Sequence, residues 1–488
     1  MRQSDRVIEM TKQHVVVIGV GISGLTAAYR LMQANKSAED MISCTVLEQD
    51  ARFGGKISTF INDDYLLELG PDSIYTRKQG GVELIQELGL EGDIVPVTSG
   101  GGTLSLKRGE LVPLPAGFGM GVPSDLNTFA KTELLSEEGK RRALEDLLMR
   151  AQPLVADVPL GLFLRERLGD ELVDTISSSL LAGIHAGDLN RMSLDATMPA
   201  LKRLYNEHGS LILGALAMMK NIPVSSGSAK PMFINLNGGL EKLVSHLVQT
   251  VSEYADLRLE TKATRIEKAE GRGYRITLTR SGETQSLFAD AIILVTPSYV
   301  TAELLQGTGT DTTALESIRY ASTATVSLGF SNDPGLHGLN SSGYLVPRNQ
   351  ATPITACTIV SKKWSHAAKT GKTLVRCYVG YDGADEIVDL DDNALISEVQ
   401  SHLRDTLGVK DAPDFVKVKR WYRAMPQYDV GHLSRTQDIE QSLHASPGIA
   451  IGGAAYYGAG IPDCIRSATR AVEQVTAYLS ERRANVHA

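Results

Sequence analysis

The stretch His14–Gly24, HVVVIGVGISG, constrains this chain more than any other. Val15, Val16, Val17 and Ile18 form a short apolar, β-branched run of the kind that fills a parallel strand buried on both faces. Gly19, Gly21 and Gly24 then give G-x-G-x-x-G, with Ile22 and Ser23 between the last two glycines. The first glycine permits a tight turn, the second lets backbone approach a pyrophosphate, and the third lets the new helix pack on the strand. The helix N-terminus would point its N–H groups at the phosphates. A glycine turn of this kind can also be purely structural, so its context matters. Leu25–Met32 continues as a helix, and Cys44–Leu47 reads as a second strand. That strand ends in Glu48, followed by Gln49, where a carboxylate would accept ribose hydroxyls. A Rossmann-like α/β unit that binds a dinucleotide is therefore expected.

The 488 residues suffice for several cores, and the length prior suggests two to four domains. A net charge of −8 without a basic block argues against nucleic acid as a partner. Cys44, Cys357, Cys377 and Cys464 are scattered, with no C-x-x-C spacing. Free buried thiols in a reducing compartment are the expectation, and no metal site is expected. The N-terminal MRQSDRVIEMTKQ lacks an apolar core, which argues against a secretory leader, and Met10 is a second candidate start. The apolar run Leu211–Met219 is far too short to span a bilayer and reads as a core or pocket helix. The expectation is a cytoplasmic protein, with peripheral membrane contact left open.

Further along, EQDARFGGKI places Gly54, Gly55 and Lys56 shortly after Glu48. The doublet would let a second backbone segment crowd the cofactor, and Lys56 would offset phosphate charge. This pattern, E-x-x-x-x-x-GG-[RK], is similar to the second fingerprint of the FAD-dependent amine oxidase, phytoene desaturase and protoporphyrinogen oxidase superfamily. The resemblance implies FAD as the dinucleotide. YLLELGPDS resembles the segment of that superfamily that runs beside the flavin, through Gly70, Pro71, Asp72 and Ser73. An ordinary Asx turn is the alternative. Arg77 and Lys78 follow, as solvated surface or as anchors for substrate carboxylates.

From about Lys107 to Met219 the pattern is helical. Ser136 is placed as an N-cap, Leu160, Phe163, Leu164 and Leu168 recur at helical spacing, and Gly169 closes that helix. His185 is a candidate proton shuttle, although a lone histidine beside small residues is more often structural. The string from Gly169 to Pro199, with LLAGIHAGD inside it, resembles the Gram-positive, soluble class of protoporphyrinogen/coproporphyrinogen oxidases. By that resemblance Gly183 and Ile184 lie beside a tetrapyrrole.

Thr261–Pro297 reads as alternating strands with a turn at Ser281-Gly282 and a buried strand at Ile292–Val295. Ala263 stands where the family holds adenine through main-chain atoms. Strand-like runs between Val300 and Tyr422 suggest a second sheet, in which Gly343, Tyr344 and Leu345 match a pocket-lining segment. Arg348, Lys362 and Lys363 are further basic candidates. Trp421 matches a flavin-side residue, and GAGIPDCI, carrying Ala459, Gly460 and Ile461, resembles the C-terminal FAD signature of porphyrinogen oxidases. A helix starting there would stabilise negative charge on a reduced flavin.

The expected organisation is an FAD-binding domain from 12–67, 231–303 and 430–488. A mixed-sheet substrate domain is expected from 68–105, 219–230 and 304–429, with a helical insertion at 106–218. The resemblance implies oxidation of coproporphyrinogen III to coproporphyrin III by FAD and oxygen, releasing hydrogen peroxide. Protoporphyrinogen IX is the alternative substrate. A flavin amine oxidase and a non-catalytic tetrapyrrole-binding protein are the more distant readings. No dedicated catalytic base is expected, because the flavin carries the chemistry. Handover of product to a ferrochelatase, and a monomeric or dimeric state, remain open at this point.

Overall fold

A computed structural model describes residues 12–37, 41–98, 102–220, 231–270, 273–350 and 352–487. The valine run forms the middle strand, Gln13–Ile18, of a five-stranded sheet that is parallel throughout. Its strands lie in the order Ala255–Arg258, Ile42–Leu47, Gln13–Ile18, Ala291–Leu294 and Ile449–Ile451. Val15 and Val17 enter one core, with the helices Ile22–Ser37, Glu241–Val251 and Ile461–His487. Val16 and Ile18 enter the other, against an antiparallel meander, Thr261–Lys268, Tyr274–Arg280 and Glu283–Ala289. Covering both faces is why no polar residue interrupts the run. The meander turns at Ser281-Gly282, where φ is 50° and 82°, as the dipeptide predicts.

A second, seven-stranded sheet runs in the order Phe415–Pro426, Tyr320–Phe330, Thr373–Val379, Ile354–Ile359, Gly343–Leu345, Leu104–Lys107, Glu110–Pro113. One face is apolar. Val326, Leu328, Val375, Cys377 and Tyr344 pack there with Leu395, Val399 and Leu403 of the helix Asp392–Leu407. Alternation puts Thr325, Ser327, Arg376, Lys417, Lys419 and Trp421 on the opposite, polar face. This sheet extends past 105 to Pro113, because Arg108-Gly109 makes a tight turn at φ 51° and 86°.

The insertion has its own core and is mostly helical, with a small hairpin, Phe118–Gly119 to Val122–Pro123. Ser136 caps its helix by accepting from the Gly139 N–H at 3.0 Å, and Gly169 ends Leu160–Leu168 at φ 83°. Asp146 and Arg167 form a buried pair at 2.6 Å inside it. The following helical segment, from Asp170 to His185, contains a π-helical stretch at Val173–Ser177, which sequence periodicity does not reveal. All four cysteines are free and buried. Among the described residues no helix is long and apolar enough to cross a membrane, and no His/Cys/Asp/Glu cluster suits a metal.

Candidate functional site

The site begins where the valine strand turns into its helix. Gly19 adopts φ 105°, and a Cβ on Gly24 would lie 1.8 Å from the Gly19 carbonyl oxygen, so strand and helix meet without room for a side chain. Gly54 forms a parallel bridge with Gly21, and its N–H donates to the Val20 carbonyl at 3.0 Å. A Cβ on Gly21 would meet only the Gly55 Cα, at 4.0 Å. Two glycine segments therefore lie side by side at a helix N-terminus, leaving an open cradle of backbone N–H groups that suits a pyrophosphate. Ile22 and Ser23 start the helix and are buried.

Glu48 closes the nucleotide end. Its Oε2 accepts the Val20 N–H and its Oε1 the Asp50 N–H, both at 3.0 Å. The carboxylate is thus fixed in place with lone pairs to spare for ribose hydroxyls. Gln49 is exposed beside it. Thr261 donates its N–H to the Glu48 carbonyl at 2.7 Å, which brings the strand carrying the buried Ala263 against this corner.

Lys56 and Arg52 divide the work differently from the sequence expectation for Lys56. Lys56 is an exposed residue whose ammonium turns back to donate to the Ala424 carbonyl, and the desolvation of that ammonium lowers its pKa. Arg52, which the motif did not single out, donates to the Phe53 carbonyl at 2.9 Å, the Ile57 carbonyl at 3.1 Å and the Gly55 carbonyl, stapling the glycine loop.

The 69–73 loop, expected beside the flavin, is held at Leu69, Gly70 and Asp72. A Cβ on Gly70 would lie 1.8 Å from the Lys56 carbonyl oxygen. Arg376 donates to the Gly70 carbonyl at 2.8 Å and Trp421 Nε1 to the Leu69 carbonyl at 2.9 Å. Beyond Pro71, Asp72 pairs with Lys363 at 2.6 Å, accepts from Ser73 Oγ at 3.0 Å, and its carbonyl accepts from Asn235 at 3.0 Å. Burial alone would raise the Asp72 carboxyl, but Lys363 and Arg376 outweigh it and hold the pKa below the usual value.

The C-terminal helix begins at Ile461, after Ala459 and Gly460, in contact with the first helix: Ser23 Oγ donates to the Cys464 carbonyl at 3.3 Å. Tyr428 orders the approach to it. Its hydroxyl donates to the Ala454 carbonyl and accepts the Gly458 N–H, each at 2.7 Å, while its ring stacks on His432 at 3.9 Å. Buried Asp463 sits in the first turn and takes Lys78 at 2.7 Å and Arg466 at 2.6 Å. The Lys78 charge is therefore matched by Asp463, while Arg77 is exposed.

The insertion reaches this region through the end of its Ser178–His185 helix. Gly183 is exposed, with no atom within 4 Å of where a Cβ would stand. The side chain of Ile184 lies outside the described residues. His185 is held neutral, its pKa lowered to about 4 by burial first, then by Lys78 and His432. Gly343 and Leu345 share the sheet face of Arg376, whereas the Tyr344 ring, 1% exposed, points to the opposite face and stacks on His402 at 5.9 Å. A three-residue strand gives no alternation from which that side could be read.

A parallel nucleotide-binding sheet, two helix N-termini side by side and a roofing sheet over a glycine-proline loop define a flavin-dependent oxidoreductase. Dinucleotide geometry and a flavin together make the cofactor FAD, and the open cradle at Gly21 fits it. The chain belongs to the flavin containing amine oxidoreductase family, whose model matches residues 22–476. It is 37% identical over 474 residues to a Bacillus subtilis protein named coproporphyrinogen III oxidase, covering 96% of this chain and 99% of that one. A Staphylococcus aureus protein of the same name is 34% identical, with 96% and 100% covered. A solved structure from Exiguobacterium sp. 255-15, named as a protoporphyrinogen oxidase, superimposes with a TM-score of 0.85 at 35% identity, covering 96% of this chain and all of that one.

Proposed function

We propose that this protein oxidises coproporphyrinogen III to coproporphyrin III, with molecular oxygen as final acceptor and hydrogen peroxide as product. The observation that carries the reading is likeness to coproporphyrinogen III oxidases across 96% of the chain, the insertion included. When bound, FAD supplies the two-electron acceptor. The chain's own residues position and shield the reactants. Arg376, Trp421 and the Asp72–Lys363 pair hold the 69–73 loop rigid. Gly183, Gly343 and Leu345 line the substrate side, and neutral His185 keeps a like charge away from Lys78. Lys78 and Arg77 attract substrate carboxylates.

Protoporphyrinogen IX is the second reading, since it differs in carboxylate number and peripheral apolar groups and the solved relative bears its name. Anaerobic mixing of the purified flavoprotein with each porphyrinogen separates the two. Bleaching of the flavin band by coproporphyrinogen III, followed by recovery in air, is expected. Faster bleaching by protoporphyrinogen IX overturns the substrate assignment, and no bleaching by either overturns the reaction.

A further inference from the structure

The basic residues of the roofing sheet differ in what balances them. Lys362 gives its ammonium to the carbonyls of Leu336, His337 and Leu339 at 2.6, 3.1 and 2.6 Å. Lys363 is paired with Asp72, and Arg319 with both Asp382 and Asp429 at 2.7 and 2.9 Å. Arg376 serves the Gly70 carbonyl. Arg348 has no such partner among the described residues. Its guanidinium lies 3.6 Å from the centre of the Tyr381 ring, in face contact; Asp188 acts on it electrostatically without a hydrogen bond to it, and one oxygen of that acid accepts from the Asn190 N–H and side-chain amide at 2.9 and 3.0 Å. A guanidinium stacked by its face keeps its in-plane N–H donors free, in the fork that matches a carboxylate.

The surroundings fix where that fork is. Arg348 occupies the turn between Gly343–Leu345 and Ile354–Ile359, closed by the Val346 N–H to Thr355 carbonyl bond at 3.0 Å and the Gln350 N–H to Pro347 carbonyl bond at 3.0 Å. Tyr381 follows the neighbouring strand Thr373–Val379, and the next residue, Asp382, donates its N–H to the Ala186 carbonyl at 2.7 Å. The Arg348–Tyr381 stack therefore stands where the insertion meets the roof, a few residues from the open position at Gly183. Arg348 is half-buried, and burial lowers its pKa to about 10, with Tyr381 and Asp188 only partly offsetting that. An unpaired cation held partly out of water is costly unless an anion joins it.

We propose that Arg348, presented by Tyr381, binds a carboxylate of the tetrapyrrole and sets the preference for the substrate richer in carboxylates. The proposal rests on the porphyrinogen reading above. Lys78, whose charge acts on His185 at the end of the Ser178–His185 helix, supplies a second positive charge beside the insertion. The macrocycle then lies between two cations, one balanced by Asp463 and one waiting for the substrate.

The test is equilibrium binding of coproporphyrin III to the FAD-loaded protein, read by porphyrin fluorescence, together with KM and kcat for coproporphyrinogen III. Arg348→Gln is expected to weaken binding and raise KM by about ten- to a hundred-fold, the range for losing a charge-assisted bidentate contact. The variant's kcat should stay within about two-fold, because the contact is as strong before the reaction as during it. Mesoporphyrin, with two propionates, should lose less affinity than coproporphyrin III. Arg348→Lys is expected to show an intermediate loss, since a point charge does not replace the fork. It decides the matter alone if the glutamine variant fails to hold FAD. Wild-type affinity in either flavin-loaded variant overturns the role of Arg348 and leaves the reaction untouched. A wild-type protein that neither binds coproporphyrin III nor oxidises its porphyrinogen overturns both.

Discussion

Gly70→Ala is the sharpest test of how the flavin-side loop is built. The new Cβ would stand 1.8 Å from the Lys56 carbonyl oxygen and 3.0 Å from its carbon. Non-bonded atoms rest at about 3.5 Å, so one segment must move by roughly 1.7 Å. Neither moves cheaply. The loop is tied by Arg376 at Gly70, Trp421 at Leu69 and Lys363 at Asp72. Lys56 follows Gly55, which lies against Gly21, and its own ammonium is spent on Ala424. Overpacking of this kind costs about 1–3 kcal/mol. Relieved wholly by letting the cofactor go, about 3 kcal/mol is a roughly hundred-fold rise in the FAD Kd. Titration of apoprotein with FAD, read by flavin fluorescence, measures this, and Tm with and without FAD shows where the strain falls. Gly92→Ala is the control, at an exposed position where a Cβ meets nothing within 4 Å. If Gly70→Ala keeps both the FAD Kd and the Tm of the wild type, the account of this loop is wrong.

Glu48→Ala leaves the Val20 and Asp50 N–H groups without their acceptor and is expected to raise the FAD Kd at least about ten-fold; an unchanged titration would remove Glu48 from the site. Asp146→Asn strips the charge from an acid that binds Arg167 at 2.6 Å, Ser210 Oγ at 2.5 Å and the Ile212 N–H at 3.0 Å, and should cost about 3–5 kcal/mol in chemical denaturation while FAD affinity stays the same. Burial pushes the Glu68 carboxyl from 4.5 to about 7, against the lowering effect of its bonds from Leu240, Thr59 and Asn235. The folded state then keeps a proton that the unfolded chain has released, so this contribution is full below about pH 4.5 and is lost as pH rises through about 7, roughly 3 kcal/mol in all. Glu68→Gln should therefore lose less stability than the wild type between about pH 5 and about pH 8 in urea denaturation; parallel losses would refute the assignment.

What the sequence shows and what it hides follow from the range of the interactions. Val15–Ile18 is legible because each residue is buried, alternately in two cores, and such burial admits only apolar side chains. The Ser136 cap and the Ser281-Gly282 turn are legible because their causes lie within four residues. Glu48 is legible through its spacing. Arg376 is not, and Lys363 shows only as a basic candidate without a partner: both reach the 69–73 loop from about 300 positions away, and nothing local tells their role from that of surface cations. Arg52 acts locally but through backbone carbonyls, which any sequence offers. The side taken by Tyr344 depends on which face of the sheet the helix Asp392–Leu407 covers, and that is a property of the assembled layers.

The same long-range bonds explain how substrate choice and cofactor binding stay separate in one chain. Residues 427–430 sit between the two functions. Towards the insertion, the Gln427 side chain donates to the His185 carbonyl at 3.0 Å, the Ser193 N–H to the Tyr428 carbonyl at 2.7 Å, and the Val430 N–H to the Arg191 carbonyl at 2.9 Å. Towards the cofactor, the Tyr428 hydroxyl joins Ala454 and Gly458 ahead of the C-terminal helix. Arg319 locks the arrangement by holding Asp429 on this segment and Asp382 on the roof together. These contacts to the insertion use its backbone carbonyls and N–H groups, so most changes to its side chains leave them in place. On the proposals made above, Arg348 and Gly183 serve the substrate, and Glu48, Gly70 and Trp421 serve the cofactor. Changes in the first group should therefore alter KM between porphyrinogens, and changes in the second should alter flavin affinity for every substrate alike.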